Sequence, residues 1–115
     1  MRISSAKAKG RRACLAVQAL LYKFARILGE GDIMIPTGSV PGKDIHFSPL
    51  AKSMYPFAIE CKNQEAMNIW ASLKQAESNA KDGEIPVLFF KKNNTKLYMA
   101  MDAEKFIEAW TNKWT

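Results

Sequence analysis

Residues 55–80 read YPFAIECKNQEAMNIWASLKQAESNA, and residues 85–94 read IPVLFFKKNN. The start of the first segment alternates. Tyr55, Phe57, Ile59 and Cys61 fall on one face, with Ala58, Glu60 and Lys62 on the other, which is the two-residue period of a strand. From Gln64 the period lengthens to that of a helix running to Ala80, with Ala66, Ile69, Trp70, Leu73 and Ala80 as its apolar stripe. Residues 81–84 (KDGE) read as a turn. Residues 85–90 are continuously apolar, as expected of a strand covered on both faces.

Upstream, residues 1–9 read as a basic flexible tail. A helix is expected over residues 11–28, with Ala13, Val17, Leu20, Leu21, Phe24 and Leu28 on its buried stripe and Gly29 and Gly31 as its stop. Residues 32–35 are a candidate short strand and residues 37–42 (TGSVPG) a loop. Residues 43–47 alternate as a second short strand, and residues 48–53 connect it to Tyr55. Downstream, Asn93-Asn94 marks a hairpin turn into a strand over residues 96–101. Asp102 then caps a last helix over residues 103–110. The pattern predicts one α/β (α+β) domain spanning residues 1–115, with a mixed sheet of about four to five strands flanked by helices.

The chain has 115 residues, 48% of them hydrophobic, enough for one domain with a packed core. Two cysteines are too few for a disulfide scaffold and imply free thiols in a reducing, cytoplasmic setting. A single histidine excludes His-rich and Cys/His zinc folds. No apolar run reaches the ~20 residues of a membrane span, so no membrane partner is expected. There is no GxSxG, no P-loop and no GxGxxG. The net charge of +6 is one-sided. Seven basic residues (Arg2, Lys7, Lys9, Arg11, Arg12, Lys23, Arg26) precede the first acidic residue, Glu30. A basic arm of this kind suits phosphate binding, with Lys7, Lys9, Arg11 and Arg12 as the DNA-binding candidates.

Glu60 and Lys62, two apart on one strand, share a face, and Asp44 lies on an earlier strand, also on a face opposite apolar residues. If the two segments are neighbours, two carboxylates and an ammonium converge. Such carboxylates repel unless a cation sits between them, and a hard divalent ion, Mg²⁺ or Mn²⁺, suits an all-oxygen site. The backbone carbonyl of Cys61 is placed to add a ligand. Lys62 can serve the attacking water or balance charge building on phosphorus. Gln75 lies on a small, polar helix face with Asn68, Ala71, Ser72 and Asn79. An ordinary same-face salt bridge is the competing reading of Glu60 and Lys62, because an acid-x-Lys triplet is common.

The run Asp44…Glu60-Cys61-Lys62, followed by a helix bearing Gln75-Ala76, resembles the PD-(D/E)XK nuclease superfamily. More narrowly, residues 55–80 with 85–94 are similar to small phage-encoded nucleases akin to Holliday-junction resolvases. The resemblance covers roughly residues 7–107. It implies a restriction-endonuclease-like core and a Mg²⁺-dependent endonuclease that hydrolyses DNA phosphodiesters, leaves 5′-phosphates and works as a homodimer on branched DNA. Asp44 and Glu60 would then bind metal, Lys62 would serve the water and Gln75 would support the site. The sequence departs from the superfamily in two ways. Lys43, not proline, precedes Asp44. The first helix offers Cys14 or Gln18 where many relatives place a metal-binding glutamate, and Asp32 is a candidate to compensate. The alternative reading is a non-catalytic DNA-binding or scaffolding module that keeps the fold.

His46 alternates onto the same face as Asp44, where it can be a structural histidine or touch phosphate or metal. Trp70, Trp110 and Trp114 are read as core or dimer contacts.

Overall fold

The computed structural model describes residues 3–37 and 42–112, with side chains from residue 6 onward. Its elements in chain order are α1 (Ile3–Phe24), β1 (Ile33–Met34), β2 (His46–Phe47), α2 (Pro49–Met54), β3 (Phe57–Asn63), α3 (Ile69–Asn79), β4 (Ile85–Lys91), β5 (Tyr98–Ala100) and α4 (Ala103–Asn112). Residues 38–41 of the expected loop, Arg2 and Trp114 lie outside the described residues.

The fold is α+β, as expected, but the five strands among the described residues are divided between two sheets instead of forming one mixed sheet. β3 and β4 pair in parallel, with Ile59 opposite Val87 and Cys61 opposite Phe89, and β5 adds antiparallel to β4. β1 and β2 form a separate antiparallel pair, Ile33 against Phe47. Each is two residues long, and neither joins the larger sheet.

The period of two sorts the central strands. Ile59, Cys61, Val87 and Phe89 join Ala13, Cys14, Val17 and Leu21 of α1 in the main apolar core. The opposite face carries Ala58, Glu60 and Leu88, all buried. Helix α3 packs against β3 and β4 and buries Ser72 and Ala76. These small residues, not the expected Trp70, make its inner face. Trp70 is 82% exposed, and Trp110 is also exposed, so neither is a core residue. Helix α3 starts at Ile69 because Asn68 caps it, its Oδ1 accepting from Ala71 N–H at 3.0 Å.

Several boundaries differ from the sequence pattern. The stretch expected to be a tail is the beginning of α1, which starts at Ile3. Apolar periodicity begins only near Ala13, but Ala6, Lys7, Ala8 and Lys9 are good helix formers. The helix stops at Phe24, and Leu28 reaches the core from a turn closed by its N–H on Ala25 O. The expected connector contains α2, capped by Ser48 Oγ with Pro49 in the first turn. The hairpin turn is present, with Asn94 at φ 64°, and Asp102 Oδ1 accepts from Lys105 N–H as a cap for α4.

Candidate active site

Asp44 does not lie on a strand. It sits in the segment just before β2, yet it reaches β3 as expected. Its N–H donates to Ile59 O at 3.1 Å, and its Oδ2 accepts from the Cys61 N–H at 2.8 Å. β4 covers the other edge of β3, so Asp44 occupies the edge left open. From there it can serve both faces of the strand, with Glu60 and Lys62 on one and Cys61 on the other.

The sequence-distant carboxylates do meet. Asp44, Glu60, Cys61, Lys62 and Gln75 line one cavity of about 460 Å³. Lys62 Nζ is 3.4 Å from Glu60 Oε2. Glu60 is 3% exposed, and its Oε1 has no hydrogen-bond partner. Burial, together with the negative charge of Asp44, pushes the Glu60 carboxyl up to about 7, against the opposing pull of Lys62. A buried carboxylate oxygen with no donor, beside a second carboxylate, is the chemistry of a cation site. The donor set fits a hard divalent ion held by Asp44 and Glu60.

The basic candidates separate. Lys7 and Arg11 line the cavity. Arg12 is exposed but is not part of its lining. Lys9 is buried at 7% exposure, and its carbonyl accepts from Asn63 Nδ2 at 3.2 Å, so it ties α1 to the end of β3 and offers no side chain to DNA. Lys43 was not among the candidates, yet it borders the cavity beside Asp44. Its Nζ is 2.7 Å from Glu84 Oε2, with Lys52 Nζ at 2.9 Å from the same oxygen. Nothing in the sequence spacing links Lys43 to Glu84, 41 positions away.

Of the two first-helix candidates for the place of a carboxylate, Cys14 lines the cavity, with Lys7, Gly10 and Arg11 of the same helix. The other first-helix candidate, Gln18, donates instead to Ile33 O at 2.8 Å. Asp32 does not compensate. Its carboxylate accepts from Gly29 N–H and Ser48 Oγ, both at 2.7 Å, closing the loop around β1. His46 is exposed and lines a neighbouring hollow with Lys52 and Glu84. Cys61 is held as a thiol by its hydrogen bond with Cys14, by burial and by the nearby carboxylates.

The phage putative PDDEXK endonuclease family matches the chain over residues 6–115. The chain belongs to that family. No curated protein and no solved structure matches it. The PDDEXK assignment covers α1 through α4 and includes the open edge of β3 with the Asp44, Glu60 and Lys62 cluster. On the α1 side of this cavity the lining among the described residues is Lys7, Gly10, Arg11 and the thiol of Cys14, with no carboxylate among them. Among the described residues, no helix is long and apolar enough to cross a membrane.

Proposed function

We propose that the chain is a divalent-metal-dependent endodeoxyribonuclease, with Mg²⁺ as the ion and Mn²⁺ as a substitute, and that branched DNA, including four-way junctions, is its substrate. The observation that carries this reading is the buried Glu60 Oε1 without a donor, on a residue that lines the same cavity as Asp44 and Lys62. Asp44, Glu60 and the Cys61 carbonyl would hold the ion, which supplies Lewis-acid polarisation of the phosphodiester. Lys62 holds its ammonium beside Glu60, positioned to orient an attacking water by hydrogen bonding and to neutralise charge developing on the phosphate oxygens. Gln75 reaches the cavity from α3, where its amide can orient that water. Lys7, Arg11 and Lys43 surround the anionic centre with cations suited to the flanking phosphates. A homodimer would bring two such sites across a junction. The exposed Phe106 and Ile107 on α4, a helix with no buried residue, support an interface there.

The test is incubation of supercoiled plasmid and of a synthetic four-way junction with the purified chain, with and without Mg²⁺. Cleavage that needs the ion and disappears in Glu60→Ala and Lys62→Ala, with DNA binding kept, supports the nuclease. Binding without cleavage in either Mg²⁺ or Mn²⁺ supports the non-catalytic module, which the thiol at Cys14 in place of a carboxylate favours. Equal cleavage of linear duplex and junction would remove the branched-DNA preference.

A further inference from the structure

The chain's two cysteines, 47 positions apart in sequence, meet on the α1 face of β3. Cys14 Sγ, Cys61 Sγ and an Asp44 carboxylate oxygen all lie within 4.8 Å of one another. Each comes from a held element. Cys14 is on α1, Cys61 is within β3, and Asp44 is pinned to the edge of β3 through both its N–H and its carboxylate. Zn²⁺ binds thiolate at about 2.3 Å and carboxylate at about 2.0–2.2 Å in a tetrahedron, which sets its ligand atoms roughly 3.5–3.8 Å apart. A triangle within 4.8 Å closes to that size by small side-chain rotations. Both thiols are buried, yet they border the cavity, which leaves the fourth tetrahedral position to solvent.

We propose that Cys14, Asp44 and Cys61 form a binding site for a thiophilic divalent metal ion, Zn²⁺ or Cd²⁺, distinct from the all-oxygen site at Asp44 and Glu60. Two sulfur ligands select a soft ion over Mg²⁺. The two thiols release their protons to solvent as the metal–sulfur bonds form. Asp44 belongs to both ligand sets, so the two ions compete. If the nuclease reading above holds, on which this consequence rests, Zn²⁺ inhibits the Mg²⁺-dependent reaction by taking Asp44.

The site is tested by titrating Cd²⁺ into the reduced full chain and following thiolate-to-cadmium charge-transfer absorption in the ultraviolet. One equivalent is expected to saturate the band. Cys14→Ala and Cys61→Ala should each weaken binding by about 100-fold, and Asp44→Asn by about 10-fold, while Glu60→Gln leaves it within about 2-fold. No band at one equivalent overturns the site, as does a band of unchanged affinity in Cys14→Ala. A cadmium NMR shift on the unmodified protein gives a reading independent of how the variants fold. A shift typical of two sulfur ligands supports the site, and one typical of oxygen-only or single-sulfur coordination overturns it. Zn²⁺ inhibition of cleavage should be relieved about 10-fold or more in Cys14→Ala, and equal inhibition of both proteins overturns the competition. A protein that never cleaves DNA with Mg²⁺ defeats the nuclease reading and leaves the cadmium result standing.

Discussion

The main-chain N–H of Cys61 donates to Asp44 Oδ2 at 2.8 Å, while the N–H of Asp44 donates to the carbonyl of Ile59 at 3.1 Å. Asp44 is thereby paired to the open edge of β3 without belonging to a strand. An asparagine can still accept the Cys61 N–H, but it carries no charge. Asp44→Asn should therefore keep its melting temperature within a few degrees of wild type while cleavage falls by about 100-fold or more. Asp44→Ala should lose the hydrogen bond as well, at about 1–2 kcal/mol. Thermal denaturation paired with plasmid nicking separates the two effects, and full activity in Asp44→Asn would remove Asp44 from the chemistry.

Glu60 carries the opposite balance. Its carboxyl is pushed up to about 7 by burial and by Asp44, so the folded chain prefers it protonated, whereas the unfolded chain ionises it near 4.5. In the absence of divalent ions, its contribution to stability declines as pH rises from about 4.5 to 7. Glu60→Gln should stabilise the metal-free protein by roughly 1–3 kcal/mol at pH 8 and by little at pH 4. Mg²⁺ should raise the melting temperature of wild type at pH 8 and leave Glu60→Gln unmoved. A Mg²⁺ response that survives in Glu60→Gln would place the ion elsewhere.

Much of this was legible in the sequence. The alternation through Glu60-Cys61-Lys62 and the apolar run at residues 85–90 located β3 and β4, because buried strands impose a strong period or a strong composition. The meeting of Asp44 with Glu60 was expected only on the condition that two strands lie side by side, and it arises differently, from a non-strand segment held to the edge of β3 by Asp44 itself. Other features left no local trace. Ala76 and Ser72 form the inner face of α3 because small residues allow close approach to the sheet, whereas hydropathy favours Trp70. Glu84 reads as part of a polar turn, and only the fold reveals that its side chain is 2% exposed between Lys43 and Lys52. Lys9 is indistinguishable from Lys7 in charge. Its burial depends on the angle at which α1 crosses β3, which no single-helix pattern encodes.

That division of the basic residues makes a binding prediction. Lys7→Ala and Arg11→Ala, which remove cations from the cavity, should each weaken DNA binding and lower the slope of log affinity against log salt by about 1. Arg12→Ala should change the slope by less, because its side chain is not part of the cavity lining. Lys9→Ala should show itself in the melting temperature, since its side chain is buried. Affinity measured by fluorescence anisotropy over a range of salt concentrations checks all four, and equal slopes for Lys7→Ala and wild type would take DNA away from this face.

Glu84 connects stability to the cation beside the site. Burial alone would push its carboxyl up, but Lys43 at 2.7 Å, the Lys81 N–H at 2.8 Å and Lys52 at 2.9 Å overcome that cost and hold it at about 2. The unfolded chain titrates this group near 4.5, so the stabilisation is fully present above that pH and is lost as the pH falls toward 2. Glu84→Gln should cost about 2–3 kcal/mol at pH 7, reduced from the full linkage value because Lys52 is half exposed. The gap between wild type and Glu84→Gln should narrow steadily between pH 5 and pH 2, measured by urea denaturation. Two parallel stability curves would show that the lysines do not hold the carboxylate. Lys43 borders the active cavity and is tethered only through this contact among those described. Glu84→Gln should therefore also weaken DNA binding at pH 7 to the extent that an anchored Lys43, and not a mobile one, meets the phosphate.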